Sequence, residues 1–272
     1  MTFALRYGPW AVVAGASDGV GAAFAERIAE NGVNVVLLAR RQTVLDEVAA
    51  GIRDRTGVET RTVAVDLAEQ SAIGTIAGAT ADLDVGFLVY CAGADPAFKP
   101  FLSQPVDAAE AMVQRNCVAP LRLCHHFAPA MVSRGAGGIV VFGSGAGLAG
   151  GPNMVAYGAT KAFDMVFAEA LWAELHGRGV DVLGLVLGKT DTPALRALEH
   201  SRGQIASIED PPPGAVPVSD VVTEAFDNLT NGPTWIVGED LRAAAQMMGS
   251  VSRSEAVRFI VEATAAAMGS DT

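Results

Sequence analysis

The sequence predicts an α/β protein: one doubly wound parallel sheet of seven strands with helices on both faces. Three observations predict it. Short apolar runs alternate with amphipathic helical stretches along nearly the whole chain. A glycine-rich turn joins the first run to the first helix. Of the 272 residues, 50% are hydrophobic and 18% charged, the balance of a chain that buries a core rather than one that stays disordered. The length suits a single domain over residues 1–272.

The elements follow in order. Trp10 to Ala14 is an apolar run suited to a strand buried on both faces. After the turn from Gly15 to Gly21, Val20, Phe24 and Ile28 recur every four residues, opposite Glu26, Arg27 and Glu30. That is an amphipathic helix, closed by Asn31-Gly32. Val33 to Ala39 is the second strand, about Thr43 to Arg55 a helix, and Thr60 to Val65 the third strand. A helix near Ser71 to Ala81 leads to the strand Val85 to Tyr90. One long helix is expected from about Val106 to Arg134, then the strand Gly138 to Phe142. A second long helix spans roughly Asn153 to Gly177. Val180 to Leu187 and Thr234 to Val237 complete the seven strands. The stretch from 203 to 218, with Pro211-Pro-Pro-Gly214, reads as an irregular loop of the kind that carries function. With the residues before it, it forms an expected substrate lid at about 189–218. Asp240 to Met268 reads as helical with a break near Gly249 to Ser252.

Charge narrows the partners. With 19 basic and 30 acidic residues the formal net charge is −11, which disfavours nucleic acid and anionic membrane surfaces. No apolar stretch is long and uninterrupted enough to span a bilayer. Cys91, Cys117 and Cys124 are too few and too scattered for a disulfide frame or a zinc site, so a reducing, cytoplasmic setting and no metal are expected.

The turn Gly15-Ala-Ser17-Asp18-Gly19-Val20-Gly21 lies where a dinucleotide pyrophosphate meets a helix N-terminus. Gly15 allows the sharp turn, Gly19 lets backbone approach the phosphates, and Gly21 lets helix and strand pack closely. The second strand ends Ala39-Arg40-Arg41. No carboxylate stands there to accept from a ribose hydroxyl, whereas a guanidinium pairs with a 2′-phosphate, so NADP(H) is expected over NAD(H). An exposed helix start is the alternative reading of the two arginines. Asp66, before Leu67, is placed to meet the adenine amino group or to cap a helix.

Tyr157 and Lys161 stand four apart in a helical stretch, one turn apart on one face. A neighbouring ammonium favours the phenolate and fits a phenol for proton transfer near neutrality. Lys161 is also placed to hold the nicotinamide ribose. Ser144, thirteen residues before Tyr157, is placed to hold a substrate carbonyl, and Asn116 to anchor a water that relays protons to the lysine.

In this ordered set the chain resembles the short-chain dehydrogenase/reductases. The likeness runs from Trp10 to about Val237 and matches at Gly15, Gly19, Gly21, Asp66, Ala92-Gly93, Asn116, Ser144, Tyr157, Lys161 and Thr192. Tyr7-Gly-Pro-Trp10 and the run from Val58 to Asp66 look most like the branch that reduces 3-oxoacyl-CoA and 17-keto steroids (17-beta-hydroxysteroid dehydrogenases). The resemblance implies a Rossmann fold, the catalytic tetrad Asn116, Ser144, Tyr157 and Lys161, and a homodimer or homotetramer. It implies a small-molecule carbonyl or alcohol substrate interconverted by hydride transfer, with Tyr157 as acid and base. It places Ser17, Asp18, Val20, Leu67, Ala92, Gly93, Gly188 and Thr190 against the cofactor beside the residues above, and has Thr192 help hold the nicotinamide carboxamide or the pyrophosphate. The chain departs from the family at Tyr90-Cys91, where two asparagines are usual, and at Leu187, where proline is usual. Those departures motivate the other reading, a dinucleotide-binding sensor or subunit without turnover.

Overall fold

The computed structural model describes residues 2–94 and 98–268; the last residues of the expected single domain, 269–272, lie outside the described residues. Among the described residues nine strands form: β1 (Trp10–Ala14), β2 (Asn34–Ala39), β3 (Thr60–Ala64), β4 (Val85–Tyr90), β5 (Gly137–Ser144), β6 (Val180–Leu187), β7 (Thr190–Asp191), β8 (Val216–Pro217) and β9 (Thr234–Ile236). Seven make one parallel sheet in the order β3-β2-β1-β4-β5-β6-β9. The helices are α1 (Phe3–Tyr7), α2 (Gly19–Glu30), α3 (Gln42–Thr56), α4 (Ala72–Ala79), α5 (Val106–Val113), α6 (Ala119–Arg134), α7 (Val155–Leu175), α8 (Pro193–Ser201), α9 (Val218–Asp227), α10 (Glu239–Gly249) and α11 (Arg253–Met268).

Alternation along the strands decides the two cores. Val13, Val35, Leu37, Val89, Val140 and Leu185 face one side, where they meet Phe24 and Ile28 of α2, Leu45 and Ile52 of α3 and Val221 of α9. Val12, Val36, Leu38, Leu88 and Val141 face the other, against Ile76 of α4, Leu123, Phe127 and Met131 of α6 and Ala168 of α7. Both faces are covered, so the central strands β1, β4 and β5 are almost wholly apolar, as a parallel sheet requires, while the edge strand β3 keeps Thr60, Arg61 and Thr62 only partly buried.

The strand order reverses between β1 and β4, and the segments leaving their C-terminal ends diverge there. Such a switch point opens a crevice that takes a ligand. The backbone comes together tightly at its floor: a Cβ on Gly15, whose φ is +88°, would sit 2.9 Å from the Ala92 amide nitrogen.

Besides β7, α8 and β8, which the sequence reading does not expect, three elements differ from the expectation. The single helix expected over 106–134 is two helices joined by a π-helical turn, Gln114–Val118. Pro120 accounts for it. Proline has no N–H and its ring crowds the carbonyl four residues back, that of Asn116, so the ladder widens and the Ala119 amide donates to Gln114 O instead. The Arg115 carbonyl is thereby left facing an imide nitrogen, and the Tyr90 hydroxyl donates to it. The unusual Tyr90 thus fastens the widened turn from the sheet. Second, β5 runs two residues past Phe142, so Ser144 is its last residue rather than a loop residue beyond it. Third, the chain opens with α1, whose Phe3 and Tyr7 pack on Phe87 while Arg6 and Tyr7 bind the Asp181 carboxylate.

The stretch 189–218 is tied down at several points. β7 pairs with β8. Arg196 makes a two-pronged ion pair with Asp191 and donates to the Glu209 carbonyl. Lys189 bridges to the buried Glu199 at 2.6 Å.

Candidate active site

The glycine turn hangs from the sheet: the amides of Gly15 and Ala16 both donate to Leu38 O at the end of β2. Gly19 opens α2 with φ +54°. Asp18 precedes the helix as N-cap, and its carboxylate accepts from the Gly19 amide at 2.7 Å. That amide is engaged, and the following N–H groups of the first turn are the ones left to face an anion. Gly21 packs so closely on the turn that a Cβ there would lie 2.1 Å from Gly15 O.

The helix start opens into a cavity of about 340 Å³ at the switch point. It is lined by the glycine turn with Asp18 and Val20, by Gly93, by Ser144, Tyr157 and Lys161, and by Gly188, Thr190, Thr192 and Leu195. Thr192 lies against the turn, where a Cβ on Gly19 would come within 3.1 Å of its Cγ2. The remaining expected residues are not part of this lining. Asn116 is fully buried. Arg40 and Arg41 are exposed side chains where β2 gives way to α3, and Arg41 occupies the N-cap position without a side-chain bond. Asp66 spends one oxygen on the Ala68 amide at 3.0 Å, a local turn rather than the cap of α4, which is Ser71. Leu67 puts its side chain in the core, while Ser17 and Ala92 are half-buried.

Ser144 ends β5, and its Oγ accepts from the Ala146 amide at 3.2 Å, which leaves its O–H to donate. Tyr157 lies in the first turn of α7. One turn on, Lys161 is buried, and its Nζ stands 6.0 Å from the Tyr157 ring centre. The ammonium is fixed by two acceptors, Phe142 O at 2.7 Å and Asp164 Oδ2 at 2.9 Å. Burial pushes the Asp164 carboxyl up to about 6, against the downward pull of Lys161.

The π turn aims the Asn116 side chain at α7. Its Nδ2 donates to Thr160 Oγ1 at 2.9 Å, and that hydroxyl donates to Tyr157 O at 2.9 Å. Asn116 Oδ1 is buried without a partner among the described residues and faces Gly93, where a Cβ would come within 2.5 Å of it. Asn116, Thr160 and Tyr157 are thus one connected chain across two helices. Cys91 also lines the cavity, but burial pushes its thiol up to about 12, so it stays protonated and is no nucleophile.

A glycine cradle that side chains would fill, a helix N-terminus and an orphaned buried amide oxygen fit a bound dinucleotide. The sequence reading missed Asp164, Thr160 and the Lys189–Glu199 pair. Asp164 stands three residues after Lys161, a spacing that signals a pair on one helix face.

The family described as short chain dehydrogenase matches residues 9–203. A 7beta-hydroxysteroid dehydrogenase of Collinsella aerofaciens is 35% identical over 240 residues, covering 86% of this chain and 88% of that protein. A very-long-chain 3-oxoacyl-CoA reductase of Homo sapiens is 31% identical over 228 residues, 83% of this chain and 71% of that protein. Among solved structures, one described by its study of 7beta-hydroxysteroid dehydrogenase stereoselectivity superposes with TM-score 0.86 at 32% identity, covering 96% of this chain and 99% of that one. A short-chain dehydrogenase from Sphingobium yanoikuyae in complex with NADPH superposes with TM-score 0.73 at 29% identity, covering 90% and 96%.

Proposed function

The chain belongs to the short-chain dehydrogenase/reductase family, an NAD(P)-dependent oxidoreductase that interconverts a ketone and a secondary alcohol, and we propose that Tyr157 is its proton carrier. The observation that carries this is one cavity lined by Ser144, Tyr157 and Lys161 together with the glycine turn. The cofactor, when bound, supplies or takes the hydride. Ser144 donates to the substrate carbonyl oxygen and holds it beside the phenol. Tyr157 gives its proton to that oxygen as the alkoxide develops, and takes it back in the oxidative direction. Lys161, fixed by Phe142 O and Asp164, favours the phenolate left behind. Asn116, held by Thr160, has its free Oδ1 at the turn carrying Gly93, where it supports the relay.

NADP(H) is the proposed preference. Arg40 and Arg41 are the cations at the end of β2, and the bound NADPH of the Sphingobium protein supports the reading. Replacing both, Arg40→Ala with Arg41→Ala, is expected to raise the NADPH Kd about 10-fold or more while leaving that of NADH within about two-fold, since a charge-assisted hydrogen bond is worth about 1.5–3 kcal/mol. Equal weakening of both cofactors would place the arginines elsewhere than at the 2′-phosphate.

The substrate is proposed to be a bulky hydrophobic ketone or alcohol, a steroid before a 3-oxoacyl chain, admitted past residues 189–218 acting as the lid of a single domain. The similar hydroxysteroid dehydrogenase supports the steroid. Consumption of NADPH absorbance over a panel of ketosteroids, 3-oxoacyl-CoAs and small ketones tests it. Turnover confined to small ketones would remove the steroid reading, and none on any ketone would favour the sensor. A cytoplasmic homodimer or homotetramer completes the proposal. The oligomer is supported by exposed Leu121 on α6, which with Phe167 and Leu171 of α7 lines an apolar cavity of about 470 Å³. No helix among the described residues is long and apolar enough to cross a membrane.

A further inference from the structure

The tetrad leaves one buried charge beside it without a role. Asp164 follows Lys161 by one turn of α7 and is 1% exposed. Its Oδ2 takes the Lys161 ammonium at 2.9 Å, while Oδ1 is buried with no hydrogen-bond partner among the described residues. A half-satisfied buried carboxylate costs more than an apolar side chain of its size, so packing does not account for it. The groups facing it are few. From β4 comes Tyr90, from the π turn Cys117, and from α6 Cys124; burial pushes all three up, so each stays neutral at working pH. Arg115 lies further off, acting on Tyr90. The charge of Asp164 is therefore directed at Lys161, and through it at Tyr157.

We propose that Asp164 is a positioning residue of the proton relay: it anchors Lys161 between itself and Phe142 O and sets how much of the ammonium's field reaches the Tyr157 phenol. The inference rests on Tyr157 being the proton carrier. With the carboxylate in place the lysine's charge is partly balanced. Without it, the bare ammonium favours the phenolate more strongly, and Tyr157 ionises at lower pH.

The chain's tyrosines allow a direct reading. There are three, Tyr7, Tyr90 and Tyr157. Burial pushes Tyr7 and Tyr90 well up. Ultraviolet titration of tyrosinate on the intact protein, compared with the same titration of Tyr157→Phe, isolates the Tyr157 step by difference. In Asp164→Asn, which keeps shape and removes charge, that step is expected to fall by about one pH unit. The matching limb of the kcat pH profile should move with it. Asp164→Ser carries the same expectation should the asparagine variant fail to fold. A midpoint that stays in place or rises in the folded variant overturns the proposal, and leaves Asp164 a structural ion pair. Because the titration needs no substrate, a failed ketone panel would not touch it. An unmoved midpoint, conversely, would leave the reductase reading intact.

Discussion

Tyr157→Phe is expected to lower kcat by about 10²–10⁴-fold while the NADPH Kd stays within about two-fold of wild type. The substitution removes one oxygen and one proton and leaves the ring in place. Nothing that holds the rest of the site depends on that hydroxyl. Lys161 is tied to Phe142 O and Asp164, Asn116 to Thr160, and Thr160 to the Tyr157 main-chain carbonyl, which phenylalanine keeps. Ser144 is oriented by the Ala146 amide. The loss therefore falls on the chemical step, about 3–5 kcal/mol at those fold-changes, and not on binding. Stopped-flow turnover and fluorescence titration of NADPH on the same preparation separate the two. Retention of kcat within ten-fold would remove Tyr157 as the acid. A matching loss of NADPH affinity would mean the phenol serves the cofactor and not the proton.

The parts of this site that were legible in the sequence are those written in contiguous spacing. Glycines at 15, 19 and 21 between an apolar run and an amphipathic helix state a turn and a helix start, and Tyr157 with Lys161 states a helix face; neither needs the rest of the chain to be interpreted. The sheet was legible for a similar reason, because a strand covered on both faces has to be apolar at every position. What escaped depends on partners distant in sequence. The widened turn at 114–118 follows from Pro120, but the donor that makes it tolerable is Tyr90 on a strand 25 residues earlier. That explains one departure from the family: a tyrosine there reaches a carbonyl in the π turn. Leu187, by contrast, has no compensating contact that the structure singles out. Asp164 was visible as a neighbour of Lys161, but helix pairs at that spacing usually lie in water. Only the strands and α6 folding over it turn a surface pair into a buried one. The Lys189–Glu199 bridge was likewise invisible, because no periodicity brings a loop lysine onto a helix ten residues on.

Gly21→Ala carries the second large effect, and it acts on binding instead of chemistry. The added Cβ would meet Gly15 O at 2.1 Å and Gly15 C at 2.8 Å, both backbone atoms that cannot rotate away. Either the turn opens or the start of α2 withdraws, and in both cases the amides of the first helical turn leave the position that a pyrophosphate requires. Withdrawal also strains the packing of Phe24 on Phe142, whose rings stand 5.2 Å apart. Overpacking of this kind costs about 1–3 kcal/mol, and at this chain length a lower Tm by about 2–10 °C. The NADPH Kd is expected to rise about 30-fold or more, because charge-assisted bonds to two phosphates are misaligned at once. Gly78→Ala is the matched control. It sits in α4 with nothing within 4 Å of its Cβ, so it should leave the Kd unchanged and raise stability by about 0.5–1 kcal/mol, as alanine does in an open helix position. Thermal melts with and without NADPH measure both quantities. If Gly21→Ala melts lower but still gains the full wild-type increment on adding NADPH, the close approach at Gly21 serves the fold alone, and the phosphates sit elsewhere than at the start of α2.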